Sequence, residues 1–265
     1  MCGGAAVSCR RLAVANQKGG VGKTTTAVNL SAALADLGVS TLLVDLDPQA
    51  NATTGLGLDP RDLDRSIYDV LIDDLPPQDA VVSTGIDGLS ILPATMDLAG
   101  AEIELVSALS RESKLRVALD ALGDRFDMVV IDCPPSLGLL TVNALTAATE
   151  VLVPIQCEYY ALEGLGHLMQ NVERVRRALN PPLCVSAIVL VMYDARTRLA
   201  EEVATEVRTH FPDVVCRTVI PRSVRLSEAP SFGQPINRFD PGSRGAMAYR
   251  LLAEELRDGT TRGIG

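Results

Sequence analysis

Tryptophan is missing from this 265-residue chain, aromatic residues make up only 3% of it, and histidine occurs twice, at His167 and His210. A core without large rings must be built from small aliphatic side chains. The Ala, Val and Leu that dominate its 47% hydrophobic fraction suit Val-rich buried strands layered between Ala/Leu-rich helices. The six cysteines, at positions 2, 9, 133, 157, 184 and 216, form no CxxC pair and have no histidine cluster beside them, so zinc and iron–sulfur sites get little support. Cys133, Cys157 and Cys184 lie in or beside apolar strand-like runs and read as small buried hydrophobes in a reducing cytoplasm. No stretch approaches the ~20 uninterrupted apolar residues of a membrane span, and residues 1–11 lack a signal peptide's apolar core, so a cytoplasmic protein is expected. The tail, 257–265, is Gly/Thr-rich and cannot form the basic amphipathic helix of a membrane-surface anchor. A net charge of -9 disfavours coating of nucleic acid by the whole surface, yet leaves room for a local basic patch.

What is present is an alternation of short apolar runs with longer amphipathic segments. Strands are expected at 12–15, 41–45, 89–93, 128–132, 151–155, 185–191 and 215–220, with helices at 25–37, 98–122, 138–148, 162–179, 198–211 and 245–256. This pattern predicts an α/β fold of three layers, a mostly parallel twisted sheet flanked by helices on both faces. Residues 59–86, acidic and interrupted by proline, read as a small helical excursion followed by a loop. With no internal repeat, low-complexity linker or charge block, the expected organisation is one domain over 11–258, a disordered extension at 1–10 and a flexible tail at 259–265.

The chemistry concentrates in three segments. After the apolar run ending at Ala15 comes Asn16-Gln17-Lys18-Gly19-Gly20-Val21-Gly22-Lys23-Thr24-Thr25, a glycine-rich turn that opens a helix. Strand, turn and helix start in this order are the context of a phosphate-binding P-loop. Glycines let successive N–H groups point at phosphate oxygens, the helix adds its positive end, and Lys23 supplies a charge between β- and γ-phosphates. Thr24 offers a hydroxyl to magnesium and Thr25 a contact to an α-phosphate. A second segment, Val44-Asp45-Leu46-Asp47-Pro48-Gln49, places two carboxylates at the end of a strand, where open α/β sheets put their ligands. Asp47 is the candidate for directing an attacking water and Asp45 belongs with the magnesium network. The third, Val129-Val130-Ile131-Asp132, ends in an acid suited to hold magnesium through water, and the following loop at 134–140 sits where a γ-phosphate sensor belongs.

The turn departs from G-x-x-x-x-G-K-[ST], because Gln17 stands in place of the first glycine and Lys18 follows it. In this it resembles the deviant Walker A motif, K-G-G-x-x-K-[ST], of the ParA/MinD family of P-loop ATPases. The resemblance runs from about 12 to about 256 and is closest to the ParA/Soj partitioning branch, through Asp45-Leu46-Asp47-Pro48-Gln49-Ala50-Asn51, Leu98-Ala99-Gly100-Ala101-Glu102 and Arg225-Leu226-Ser227-Glu228-Ala229-Pro230. It implies ATP and Mg2+ as cofactors, with Lys18, Gly19, Gly20, Val21, Gly22, Lys23, Thr24 and Thr25 around the phosphates. Lys18 is implied to reach the nucleotide of a partner copy in an ATP-dependent homodimer, serving catalysis with Asp47. It further implies slow intrinsic hydrolysis, stimulation by a ParB/Spo-type centromere-binding protein, non-specific binding of double-stranded DNA, and a nucleoid-associated state. By motif, Arg196 and Arg225, with Arg222 beside them, carry the DNA contact, and Pro221 and Ser223 lie where relatives place adenine-contacting backbone. Salt-bridged surface arginines are the competing reading, since Glu201, Glu202, Glu206 and Glu228 are close in sequence. Rival functions are a MinD-like membrane ATPase of division-site placement, which the tail argues against, an iron–sulfur carrier ATPase, and a scaffold that holds nucleotide without hydrolysing it.

Overall fold

A computed structural model describes residues 9–159 and 161–258, so the expectations for the tail at 259–265 and for residues 1–8 of the extension at 1–10 lie outside the described residues, while Cys9 is buried and Arg10 belongs to a strand rather than to a disordered extension. Eight strands, β1 (Arg10–Val14), β2 (Thr41–Asp45), β3 (Val82–Ser83), β4 (Leu89–Leu92), β5 (Met128–Asp132), β6 (Glu150–Gln156), β7 (Cys184–Tyr193) and β8 (Val215–Pro221), form one sheet in the order β3-β4-β2-β5-β1-β6-β7-β8. Every neighbouring pair is parallel except β3 with β4. The helices in chain order are α1 (Lys23–Asp36), α2 (Asn51–Gly55), α3 (Ile67–Ile72), α4 (Leu98–Glu104), α5 (Lys114–Ala121), α6 (Leu139–Ala147), α7 (Ala161–Ala178), α8 (Arg198–His210), α9 (Val224–Glu228), α10 (Ile236–Phe239) and α11 (Arg244–Arg257).

Successive side chains of a strand point to opposite faces, and both faces are apolar. Leu12 and Val14 enter one core with Leu43, Val130 and Leu152, covered by α1 and α11, while Ala13 and Ala15 enter the other with Val44, Ile131 and Val153, covered by helices α3 to α8. The three layers expected from the sequence are those observed. β2 and β5 run in register with Asp45 beside Asp132, and β1 pairs with β5 so that Val14 stands beside Asp132. The carboxyl ends of the three central strands therefore deliver the glycine turn and both acids to one edge.

Two expectations need correction. The helix expected over 98–122 is broken: α4 passes through a short 3-10 turn, Leu105–Ser107, and α5 begins afresh at Lys114. Ser107 and Ser113 donate their hydroxyls to nearby carbonyls, of Glu104 and Ser110, and Ser110 itself turns left-handed at φ 53°, so local side-chain bonds compete with the helix. The loop expected before residue 86 contains β3, a two-residue antiparallel edge too short to leave an alternating pattern.

Candidate phosphate-binding and metal site

α1 begins without a side-chain cap: Gly22 precedes it at φ 73°, and no side-chain oxygen accepts its first N–H groups. Helix N-termini carry N–H groups with no partner inside the helix, and these attract anions. Gly20 likewise turns at φ +74°, and a Cβ built on Gly19 or Gly20 would meet nothing within 4 Å, so this stretch of backbone faces open space. Lys23 is only 7% exposed and its ammonium donates to the Lys18 carbonyl at 3.1 Å. Desolvation pulls its pKa down, an effect the nearby Asp132 and Asp47 oppose. A buried cation whose hydrogen bond goes to a neutral carbonyl is suited to receive an anionic group. Asn16, which the sequence did not single out, ties the turn down: its amide donates to the Pro154 carbonyl at 2.8 Å and its oxygen accepts from the Lys18 N–H at 3.0 Å.

The two strand-end acids differ in their surroundings. Asp45, fully buried, accepts from the Thr53 N–H at 2.8 Å, the Thr53 hydroxyl at 2.7 Å and the Asp47 N–H at 3.2 Å. Burial raises its pKa to about 6, and the Thr53 and Asp47 bonds hold it back from rising further. Asp132 is also fully buried, yet neither of its carboxylate oxygens has a hydrogen-bond partner. Desolvation first and the neighbouring Asp45 second push its pKa well up, while the Thr24 hydroxyl, close but outside hydrogen-bonding geometry, softens the shift. Two adjacent buried carboxylates cannot both ionise comfortably without a shared proton or a cation. A magnesium ion would give Asp132 the partner it lacks, with Thr24 beside it and its remaining shell filled by water and phosphate oxygens. Asp47, 8% exposed, accepts from the Gln49 N–H at 3.0 Å and stands at the mouth of the same edge. The residues present fit a magnesium-bound nucleoside phosphate, and the chemistry such an ion supplies is charge neutralisation on the phosphoryl oxygens.

Pro221 and Ser223 line a cavity of about 230 Å3 together with Gly22, Thr25, Met192 and Leu226, next to the helix start where a base could follow its phosphates. Met192 adopts φ 51° and could not have been picked from sequence. Lys18 is half exposed and forms an ion pair with Glu158, a partner 140 residues away that no local signal marks. Of the basic residues, Arg196 chelates Asp194 through two bonds at 2.9 and 2.7 Å, and the charge of Arg222 also reaches Asp194. Arg225 is paired with Glu228 and Asp240 and lies over the Phe239 ring at 4.8 Å. All three are exposed, so the structure gathers Arg196 and Arg222 around one acid and puts Arg225 into a separate network.

A family model described as "AAA domain" matches residues 9–185. The chain is 55% identical to the sporulation initiation inhibitor protein Soj of Bacillus subtilis, over 92% of this chain and 97% of that one. It is 53% identical to the chromosome partitioning protein ParA of Caulobacter vibrioides, over 93% of each. Among solved structures, a Mycobacterium smegmatis protein named cobyrinic acid a,c-diamide synthase, with bound ATP analogue and magnesium, superposes with a TM-score of 0.83 at 43% identity, covering 94% of both chains.

Proposed function

The chain belongs to the Soj/ParA family of P-loop chromosome-partitioning proteins, and from that premise we propose that it is an ATP-dependent dimerising switch that binds DNA and hydrolyses ATP during chromosome or plasmid segregation. The observation that carries the reading is the pairing of an unpartnered, buried Asp132 carboxylate with the buried Lys23 beneath an open glycine turn. That arrangement leaves a cation and an anion site side by side, which magnesium and the phosphates of ATP fill together.

In this reading Gly19 to Gly22 and the start of α1 cradle the phosphates, Lys23 bridges the β- and γ-groups, Thr24 and Asp132 hold magnesium with Asp45 in their network, and Thr25 touches the α-phosphate. Pro221 and Ser223 line the base cavity. Asp47 orients the water that attacks the γ-phosphorus, yielding ADP and phosphate. Lys18 leaves Glu158 to reach the nucleotide of a second copy, which makes hydrolysis slow until a homodimer forms and a ParB/Spo-type partner stimulates it. Arg196, Arg222 and Arg225 contact phosphates of double-stranded DNA without reading bases, and the ATP-bound protein is nucleoid-associated in the cytoplasm.

The deciding experiment is DNA binding by the purified protein with ATP, ADP and no nucleotide. A strong preference for ATP is expected, whereas equal binding or none overturns the partition reading. Among the described residues no helix is long and apolar enough to cross a membrane. ATP-dependent sedimentation with liposomes would favour the MinD-like alternative instead. An amidating enzyme, as the name of the M. smegmatis protein describes, would show no ATP-dependent DNA retention.

A further inference from the structure

Thr53 lies on α2 and is fully buried, yet its hydroxyl is engaged on both sides. The Ala94 N–H, just beyond β4, donates to Thr53 Oγ1 at 3.0 Å, and Oγ1 lies 2.7 Å from Asp45 Oδ2. A hydroxyl has one proton, and since the Ala94 amide can only donate, that proton points to Asp45. The Thr53 N–H adds a second bond to the same oxygen at 2.8 Å, and the other carboxylate oxygen accepts from the Asp47 N–H at 3.2 Å. Asp45 thus fastens both ends of the segment from Asp47 to Thr53, in which Ala50 is held left-handed at φ 52°. Asp132, its neighbour across the sheet, has no such bonds.

We propose that Thr53 is a positioning residue for hydrolysis: it clasps Asp45, Asp45 anchors the loop, and the loop holds Asp47 where a water can be directed at phosphorus. The two acids then divide their work, with Asp132 left free to touch the metal and Asp45 set behind it in the same network, bonded to the chain. The inference rests on the proposed role of Asp47, but the clasp itself is read from the fold. A loop without its clasp keeps the phosphate cradle, which lies between β1 and α1 and on the first turn of α1, and loses the aim of the attacking water.

The test compares T53V, which keeps shape and removes the hydroxyl, with T53S, which keeps the hydroxyl. T53V should bind Mg-ADP within about twofold of the parent while its turnover of ATP falls about tenfold, the rate equivalent of one hydrogen bond to a charged group. T53S should restore turnover. In nucleotide-free T53V, amide hydrogen exchange should accelerate across residues 47–53 and stay unchanged in α1. Loss of ADP affinity in step with turnover, failure of T53S to rescue, or unaltered exchange would overturn the proposal. If the parent hydrolyses no ATP at all, the ATPase reading fails, and the exchange experiment still decides whether the clasp exists.

Discussion

At the residue scale the site is a set of groups held in states that water would not favour, and that makes its acids testable through stability. Burial pushes the pKa of Asp45 up to about 6 and holds that of Asp132 well above the ordinary carboxylate range. Both groups hold protons in the folded chain that the unfolded chain releases near pH ~4. Their contribution is therefore most favourable below that pH and is lost as the pH climbs through about 6 and beyond. D132N removes the charge without changing the shape. It should raise the melting temperature of the nucleotide-free protein at pH 7.5, at about 2–4 °C for each kcal/mol recovered, and raise it less at pH 5. The same variant should lose the thermal shift that Mg-ATP gives the parent; a retained shift would mean that the metal sits elsewhere. Lys18 is the complementary case, a half-exposed residue whose ion pair with Glu158 contributes little to folding. K18A should melt with the parent and bind ATP as the parent does, but elute as a monomer with ATP in size exclusion; an ATP-dependent dimer of undiminished affinity would refute its assigned role.

At the element scale the strand–turn–helix unit explains why so much was legible. The strands at 41–45 and 128–132 are legible to the residue because a buried parallel strand shows itself as an unbroken apolar run, and each run ends at an acid. The glycine turn announced itself because only glycines reach φ near +73° at low cost, as Gly20 and Gly22 do. G20A should cost about 1 kcal/mol of folding stability through backbone strain. It should weaken nucleotide binding far more, at least about tenfold, because the added methyl projects into the space where N–H groups would approach phosphate. Urea unfolding and calorimetry separate the two effects, and equal losses in both would argue against a phosphate cradle. What stayed hidden depends on chain return. The bond from Thr53 to Asp45 forms only because α2 doubles back against β2, and the Glu158 partner of Lys18 arrives two residues beyond β6. The break near Ser110 is hidden for another reason: the apolar periodicity on either side continues across it, and only the serines mark the interruption.

At the scale of the whole molecule, a chain of net charge -9 must concentrate positive charge to hold DNA, and two of the arginines proposed for that contact, Arg196 and Arg225, are already paired with acids. Exposed ion pairs are worth only ~0–1 kcal/mol each, so a phosphate can displace a carboxylate from such an arginine at small cost. On the proposed reading one copy would offer too few contacts for firm binding, and pairing of two copies would double them without altering any surface. If Arg196 and Arg225 each touch one phosphate per copy, these two alone give a dimer about four contacts, and the logarithm of its affinity should fall with log salt at a slope of at least about -3.6. R225A should make the slope shallower by about 1.8, and R225E should remove binding at moderate salt while sparing ATP affinity. D240N, which frees the Arg225 guanidinium from one of its two acids, should move affinity the other way and leave the slope near its parental value. Fluorescence anisotropy over a salt series with ATP present measures all of these. An R225A slope equal to that of the parent would place the DNA contact elsewhere, and the network around Asp240 and Glu228 would then be the solvated surface pairing that its neighbouring acids suggest.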